Sequence, residues 1–251
     1  MVTQFKDNPY ERLFYALNQK EKVAEYKRIY LVSELDSKLS EVVNQRRYWH
    51  DQNHLPTVKA LDLLRTEITY ELENLGGTEK FPEVELLRTG KFDSVVHKKT
   101  KEFLSQLRRY YAFQSGNAKQ EREALESQLN DTPEKKERLE QMRLQFKNKA
   151  VTRMVESSDE EKRIVEWKGR LVQKFYPIYF EDHHPRNIFD FQATFFVPTK
   201  QFMGRIYDTF YFNLSVIWTM TVVLYLTLYF DLLKRLVHGL EMRRKYRKKK
   251  Q

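Results

Sequence analysis

TFYFNLSVIWTMTVVLYLTLYF, Thr209 to Phe230, runs for 22 residues without a charged side chain, between Asp208 and Asp231. As a helix it would reach roughly 33 Å at about 1.5 Å per residue, enough for a hydrocarbon core of about 30 Å. Aromatic residues gather at both ends: Phe210, Tyr211 and Phe212 at one, Tyr225, Tyr229 and Phe230 at the other. Such rings favour the two membrane–water interfaces. The competing reading is a buried core helix. It is disfavoured because the stretch is apolar on every face and is followed by Lys234, Arg235, Arg243, Arg244, Lys245, Arg247, Lys248, Lys249 and Lys250.

Those nine cations also decide what the net charge of +10 means. With only two acids after residue 230, the tail holds most of the excess, and the rest of the chain is close to neutral. A nucleic-acid-binding domain would carry its charge on a folded surface, so no nucleic-acid partner is expected. The tail fixes topology, or lies on anionic lipid at about 1 kcal/mol per basic residue. Before the span the nearest cations are Arg205 and Lys200. The positive-inside rule then places 231–251 in the cytoplasm and residues 1 to about 205 outside. MVTQFKDNPYERL has no signal-like apolar run. An outside domain without a leader leads to the expectation that membrane segments precede Met1 in the natural polypeptide. A tail-anchored protein with a cytosolic bulk is the alternative, and it would break the charge rule.

Upstream, seven glycines and seven prolines in 251 residues favour helix over sheet. The expected fold is mainly α: a helical extracytoplasmic domain over 1–174, a short irregular or β aromatic segment over 175–208, one transmembrane helix over 209–230 and a basic tail over 231–251. Asn8-Pro9-Tyr10-Glu11 reads as a helix start, with Asn as cap, Pro first and Glu reaching back. Helix then runs with interruptions to about Trp49, restarting near Ser33-Glu34 with Leu35, Leu39 and Val42 as a stripe. After a loop over Asp51 to Pro56, Leu61, Leu64, Ile68, Leu72 and Leu75 keep helical spacing to a Gly76-Gly77 stop. A third helix begins near Phe92, with Val96, Phe103, Leu107 and Tyr110 inward, and runs through Gly116 to about Leu129. Thr132-Pro133-Glu134 starts another, carrying Leu139, Met142, Phe146, Ala150 and Met154 inward. Ser158 to Glu161 reads as a capping box before a helix bearing Ile164, Trp167 and Leu171. From Phe175 to Phe202 the aromatic, proline-broken texture fits short strands, as a collar on the membrane or as core closing the helical domain.

Catalytic and metal motifs are weak. Gly90-Lys91 lacks the rest of a P-loop. No serine or threonine sits in a nucleophile elbow, and the absence of cysteine removes thiolate chemistry. His50 and His54 share i,i+4 spacing but no third ligand is evident. Glu181-Asp182-His183-His184 reads as a polar turn. No catalytic residue, metal or cofactor is therefore expected on this chain. Within the span, Asn213, Ser215 and Thr219 are candidates for packing against another membrane helix, or their hydroxyls bond back to their own helix.

Three segments carry a resemblance: QFKDNPYERLFY (Gln4 to Tyr15), KRIVEWKGRLVQKFYPIYF (Lys162 to Phe180) and TKQFMGRIYDTFYFNLSVIWTMTVVLYLTLYFDLLKRL (Thr199 to Leu236). They resemble the C-terminal part of White-like (ABCG-like) type-two ABC exporters of Bacteroidota, in which ATPase and permease are fused. The resemblance covers both ends; residues 16 to 160 match only in character. It implies that Gln4 to Glu11 follows the fifth membrane helix and that Thr209 to Phe230 is the sixth and last. ATP and Mg would bind an upstream ATPase domain, so no nucleotide-binding residue is carried over. It further implies a bacterial inner-membrane location and, as partners, the bilayer, the other membrane helices, the ATPase domain and a second copy of the transporter. The outer region is much longer than in animal relatives, so their gating and substrates do not transfer. A single-pass, membrane-anchored helical scaffold or interaction protein is the alternative.

Overall fold

A computed structural model describes residues 2–48, 55–157, 162–167, 169–180 and 195–231. The described chain is mainly helical, with four short strands. It divides into two compact units, Met1–Asp182 with Thr194–Pro198, and His183–Ala193 with Thr199–Gln251.

The first unit opens with α1 (Val2–Lys6) and α2 (Pro9–Tyr26). Asn8 caps α2 as the sequence predicts: its Oδ1 accepts from Glu11 N at 2.7 Å and Pro9 occupies the first turn. The interruption expected before Ser33-Glu34 is present, but it is not a break in the helix. The chain passes through a π-helical turn, Lys27–Leu31, straight into α3 (Val32–Tyr48). KRIYLVSEL holds no proline or glycine, so nothing forces a break. The chain instead widens by one residue, and the Lys27 carbonyl accepts from Val32 N.

α4 spans Leu55–Asn74, which takes in Pro56, and ends in a Schellman motif. Gly77 N donates to Leu72 O at 2.9 Å and Gly76 N to Glu73 O at 3.2 Å, with Gly76 at φ 104°. A side chain there would meet the left-handed penalty, which is why the glycine pair ends this helix. Two 3-10 turns, Thr78–Lys80 and Pro82–Leu86, lead to α5 (Ser94–Leu129), capped by Asp93. The buried face of α5 is Val96, Thr100, Leu104, Leu107 and Tyr111, so Tyr111 turns inward and Tyr110 outward. The core is the meeting of α3, α4 and α5, with Leu35, Leu39, Leu64, Ile68, Leu72 and Leu104 closed to solvent.

Thr132 caps α6 (Pro133–Phe146) as expected, but the helix does not continue to Met154. Asn148 starts a separate α7 (Lys149–Glu156), its Oδ1 accepting from Ala150 N and Val151 N. The new cap resets the helical phase. Val151 and Val155 therefore face inward and Ala150 and Met154 outward; Phe146, the last residue of α6, is exposed as well.

The expected helix through Ile164, Trp167 and Leu171 is a hairpin instead. β1 (Ile164–Trp167) pairs antiparallel with β2 (Arg170–Gln173), Val165 opposite Val172. The turn holds Gly169 at φ 70°, a conformation that favours glycine. A glycine turn between Ile164–Trp167 and Arg170–Gln173 outweighs the i,i+3,i+7 spacing. The Ser158 to Glu161 capping box lies outside the described residues.

A 3-10 turn, Pro177–Tyr179, closes a second small core with Phe5, Val155 and Phe196. Tyr15 Oη donates to Ile178 O at 2.8 Å and Gln19 Nε2 to Phe180 O at 2.9 Å. This stretch of the aromatic segment is thus core of the helical unit.

In the second unit, β3 (Thr199–Phe202) and β4 (Arg205–Asp208) form the short strands expected before the span. β4 leads directly into α8 (Thr209–Tyr229).

Candidate functional site

α8 is the helix, among the described residues, that is long and apolar enough to cross a membrane. None of its residues is buried. Asp208 ends β4 and also caps α8, accepting from Phe210 N at 2.8 Å. Its charge therefore sits at the positive end of the helix dipole. Phe210, Tyr211, Tyr225, Tyr229 and Phe230 are exposed. Tyr225 and Tyr229 stack one turn apart, with centroids 6.0 Å apart. Phe212 differs: it is half-buried against the hairpin, 5.7 Å from the Phe202 ring and 6.3 Å from Tyr207.

Asn213, Ser215 and Thr219 are exposed on α8. Thr219 donates its hydroxyl to Ser215 O at 2.7 Å, and Thr221 and Thr227 do the same to Ile217 O and Val223 O. Each hydroxyl is thereby satisfied within the helix, which keeps these threonines compatible with an apolar surround. The basic tail residues Lys234, Arg235, Arg243, Arg244, Lys245, Arg247, Lys248, Lys249 and Lys250 lie outside the described residues. So do His50, His54 and Glu181 to His184. Among the described residues no group of three or more His, Asp or Glu side chains is placed to hold a metal ion.

The helical unit holds buried charges that sequence reasoning missed. Lys27 Nζ lies 3.2 Å from Glu71 Oε2 and 5.4 Å from the centre of the Tyr111 ring. The Tyr111 hydroxyl donates to the same Glu71 oxygen. One turn back on α4, Glu67 accepts from Arg170 Nε at 2.6 Å and from Leu171 N at 3.0 Å. It thereby holds the β1–β2 hairpin on α4. Glu67 and Glu71 are both nearly closed to solvent. The available signal was their position: they flank Leu64, Ile68 and Leu72 on the apolar side of α4, where a solvated charge has no place.

A cavity of about 110 Å³ lies where the start of α2 meets the α6–α7 break, lined by Phe5, Asn8, Glu11, Phe146, Lys147 and Asn148 among others. Glu11 is 4% exposed, and among the described residues its Oε2 has no hydrogen-bond partner. Burial pushes the Glu11 carboxyl up; Lys147 opposes this and Glu156 adds to it. Glu156 is pushed up by burial too, against Lys147 and Lys22. A raised carboxylate pKa means that the folded state holds its proton more tightly than the unfolded one. The contribution of these two groups to stability is then fully present at low pH and is lost as pH rises from the ordinary glutamate range through the raised values. Glu11→Gln is expected to raise the melting temperature at pH 8 and to flatten its decline with pH. Equal pH profiles for Glu11→Gln and the unaltered chain would show that no charge penalty resides there.

Compared with known protein families, characterised proteins and solved structures, the chain matches none.

Proposed function

We propose that this chain is the C-terminal permease region of an ATP-driven ABC exporter of the bacterial inner membrane, with ATP hydrolysed by an upstream domain. Residues 1 to about 205 would face outward, α8 would be the last membrane helix, and the basic tail would be cytoplasmic. The observation that carries the membrane part is α8: 21 residues, apolar, capped by Asp208 and without a buried residue. The hydroxyls of Thr219, Thr221 and Thr227 are already bonded to its own backbone, as transfer into hydrocarbon requires. Support for the transporter comes from the resemblance of Gln4 to Tyr15, Lys162 to Phe180 and Thr199 to Leu236. In this reading the partners are the other membrane helices, contacted around Asn213 and Ser215, the ATPase domain and a second copy of the transporter. The aromatic ends of α8 lie at the interfaces.

A second reading, a single-pass helical scaffold, is favoured by the self-contained core of the first unit, built from α3, α4 and α5. The nucleotide sequence in frame with and upstream of the Met1 codon separates the two. Five apolar spans and a P-loop are expected; an in-frame stop directly upstream overturns the exporter. Protease added to spheroplasts, with the outer membrane opened and the inner membrane sealed, should digest residues 1–205 and spare the tail. Protection of 1–205 would reverse the orientation.

A further inference from the structure

β3 and β4 are joined by two residues only, Met203 and Gly204, since Phe202 pairs with Arg205. Both turn residues have positive φ, 50° for Met203 and 72° for Gly204. Such a turn favours Asn-Gly or Asp-Gly, because a short polar side chain tolerates the left-handed region and is solvated there. Methionine has neither advantage. It carries a strain of about 1 kcal/mol, and here it is 63% exposed. Its neighbours are apolar and exposed as well: Phe202, Ile206 and Tyr207. In water this is a poor hairpin tip by both conformation and solvation.

Its placement within the second unit gives it a use. No linker separates β4 from α8, because Asp208 belongs to both the strand and the cap. Phe202, beside the tip, packs on Phe212, the fourth residue of α8. The hairpin therefore folds alongside the first turn of the helix, and its tip stands level with the start of the apolar span rather than away from it. Arg205 is exposed at the end of the turn, where a long cationic side chain can reach phosphate while its stem stays among apolar groups.

We infer that the β3–β4 hairpin is a second lipid contact, which seats Phe202 and Met203 at the headgroup–acyl boundary of the leaflet that α8 enters and presents Arg205 to lipid phosphates. This rests on α8 being a membrane span. The occupant is the phospholipid surface itself: the hairpin's apolar side is continuous with that of α8 through the Phe202–Phe212 contact. Interfacial segments of this kind hold by buried apolar area plus attraction to anionic headgroups. The contact would fix the depth and rotation of the first turn of α8.

The chain has no cysteine, so single cysteines report without a background. Met203→Cys, Ile206→Cys, Val222→Cys and Ser127→Cys chains, each nitroxide-labelled, are reconstituted whole into phosphatidylcholine–phosphatidylglycerol vesicles. Collision rates are then measured with oxygen, which concentrates in lipid, and with a water-soluble nickel chelate. The label at 222 should show the highest oxygen-to-nickel ratio and that at 127 the lowest. Those at 203 and 206 should lie several-fold above 127 and below 222. A deep label at 222 with 203 and 206 indistinguishable from 127 overturns the hairpin contact and leaves the span intact. A label at 222 as wet as that at 127 removes the span, and the hairpin contact with it. The two hairpin positions keep the test decisive if one substitution disturbs the turn.

Discussion

Lys27→Met is expected to destabilise the helical unit by about 3–5 kcal/mol, because it removes the cation and leaves the Glu71 carboxylate buried. Glu71 is 2% exposed, and beyond Lys27 the Tyr111 hydroxyl is the contact seen at its Oε2. Neutral methionine has a similar length, so little of the loss is packing. In a domain of this size each kcal/mol shifts the melting temperature by about 2–4 °C, so a drop of roughly 6–20 °C should be seen. The double variant Lys27→Met, Glu71→Leu should recover most of it, since both charges then leave the core together. Denaturant unfolding of the detergent-solubilised chain, run as a double-mutant cycle, measures the coupling. A single variant within about 0.5 kcal/mol of the unaltered chain would mean that Glu71 finds water or another cation, and the cluster would lose its structural role.

The second large effect concerns α8. Met220→Arg with Val223→Arg places two cations on one face near the middle of the helix. Each opposes insertion by about 2.5–3.5 kcal/mol, and together they should lower the insertion equilibrium constant by roughly four to five orders of magnitude. After alkaline carbonate extraction the unaltered chain should stay in the membrane pellet and the double variant should be released. Val95→Arg, at an exposed valine of α5, is the control and should behave as the unaltered chain does. Retention of the double variant in the pellet would show that α8 is not what holds this chain to lipid.

The elements legible in the sequence were those whose signals are local. Asn8 and Thr132 each cap a helix that begins with proline, and the cap needs only its own next three residues. Gly76-Gly77 ends α4 because no other residue takes that backbone so readily. The uncharged run from Thr209 reads as helix on length and composition alone. Where the sequence misled, two local patterns competed. Ile164, Trp167 and Leu171 match a helical period, yet Gly169, at φ 70° between Ile164–Trp167 and Arg170–Gln173, belongs to a hairpin that docks on Glu67. Leu139 to Met154 reads as one stripe, but the Asn148 cap shifts its phase.

The candidate site divides the same way. The aromatic ends of α8 could be named from spacing; the packing of Phe212 under the hairpin could not, because it depends on β4 entering the helix without a linker. The place of Glu67 and Glu71 beside Leu64, Ile68 and Leu72 was open to reading, but their cations Lys27 and Arg170 were not, because partners separated by 44 residues in one pair and 103 in the other have no signature in local periodicity. By itself, then, the sequence determined the mainly helical class, the helix ends and the apolar span, since each follows from backbone preference and solvation over a few adjacent residues. Tertiary structure alone decided which cations the buried carboxylates find, which phase each helix presents and what the Met203 turn lies beside. Those depend on what packs opposite, where removal from water makes a distant partner outweigh a near neighbour.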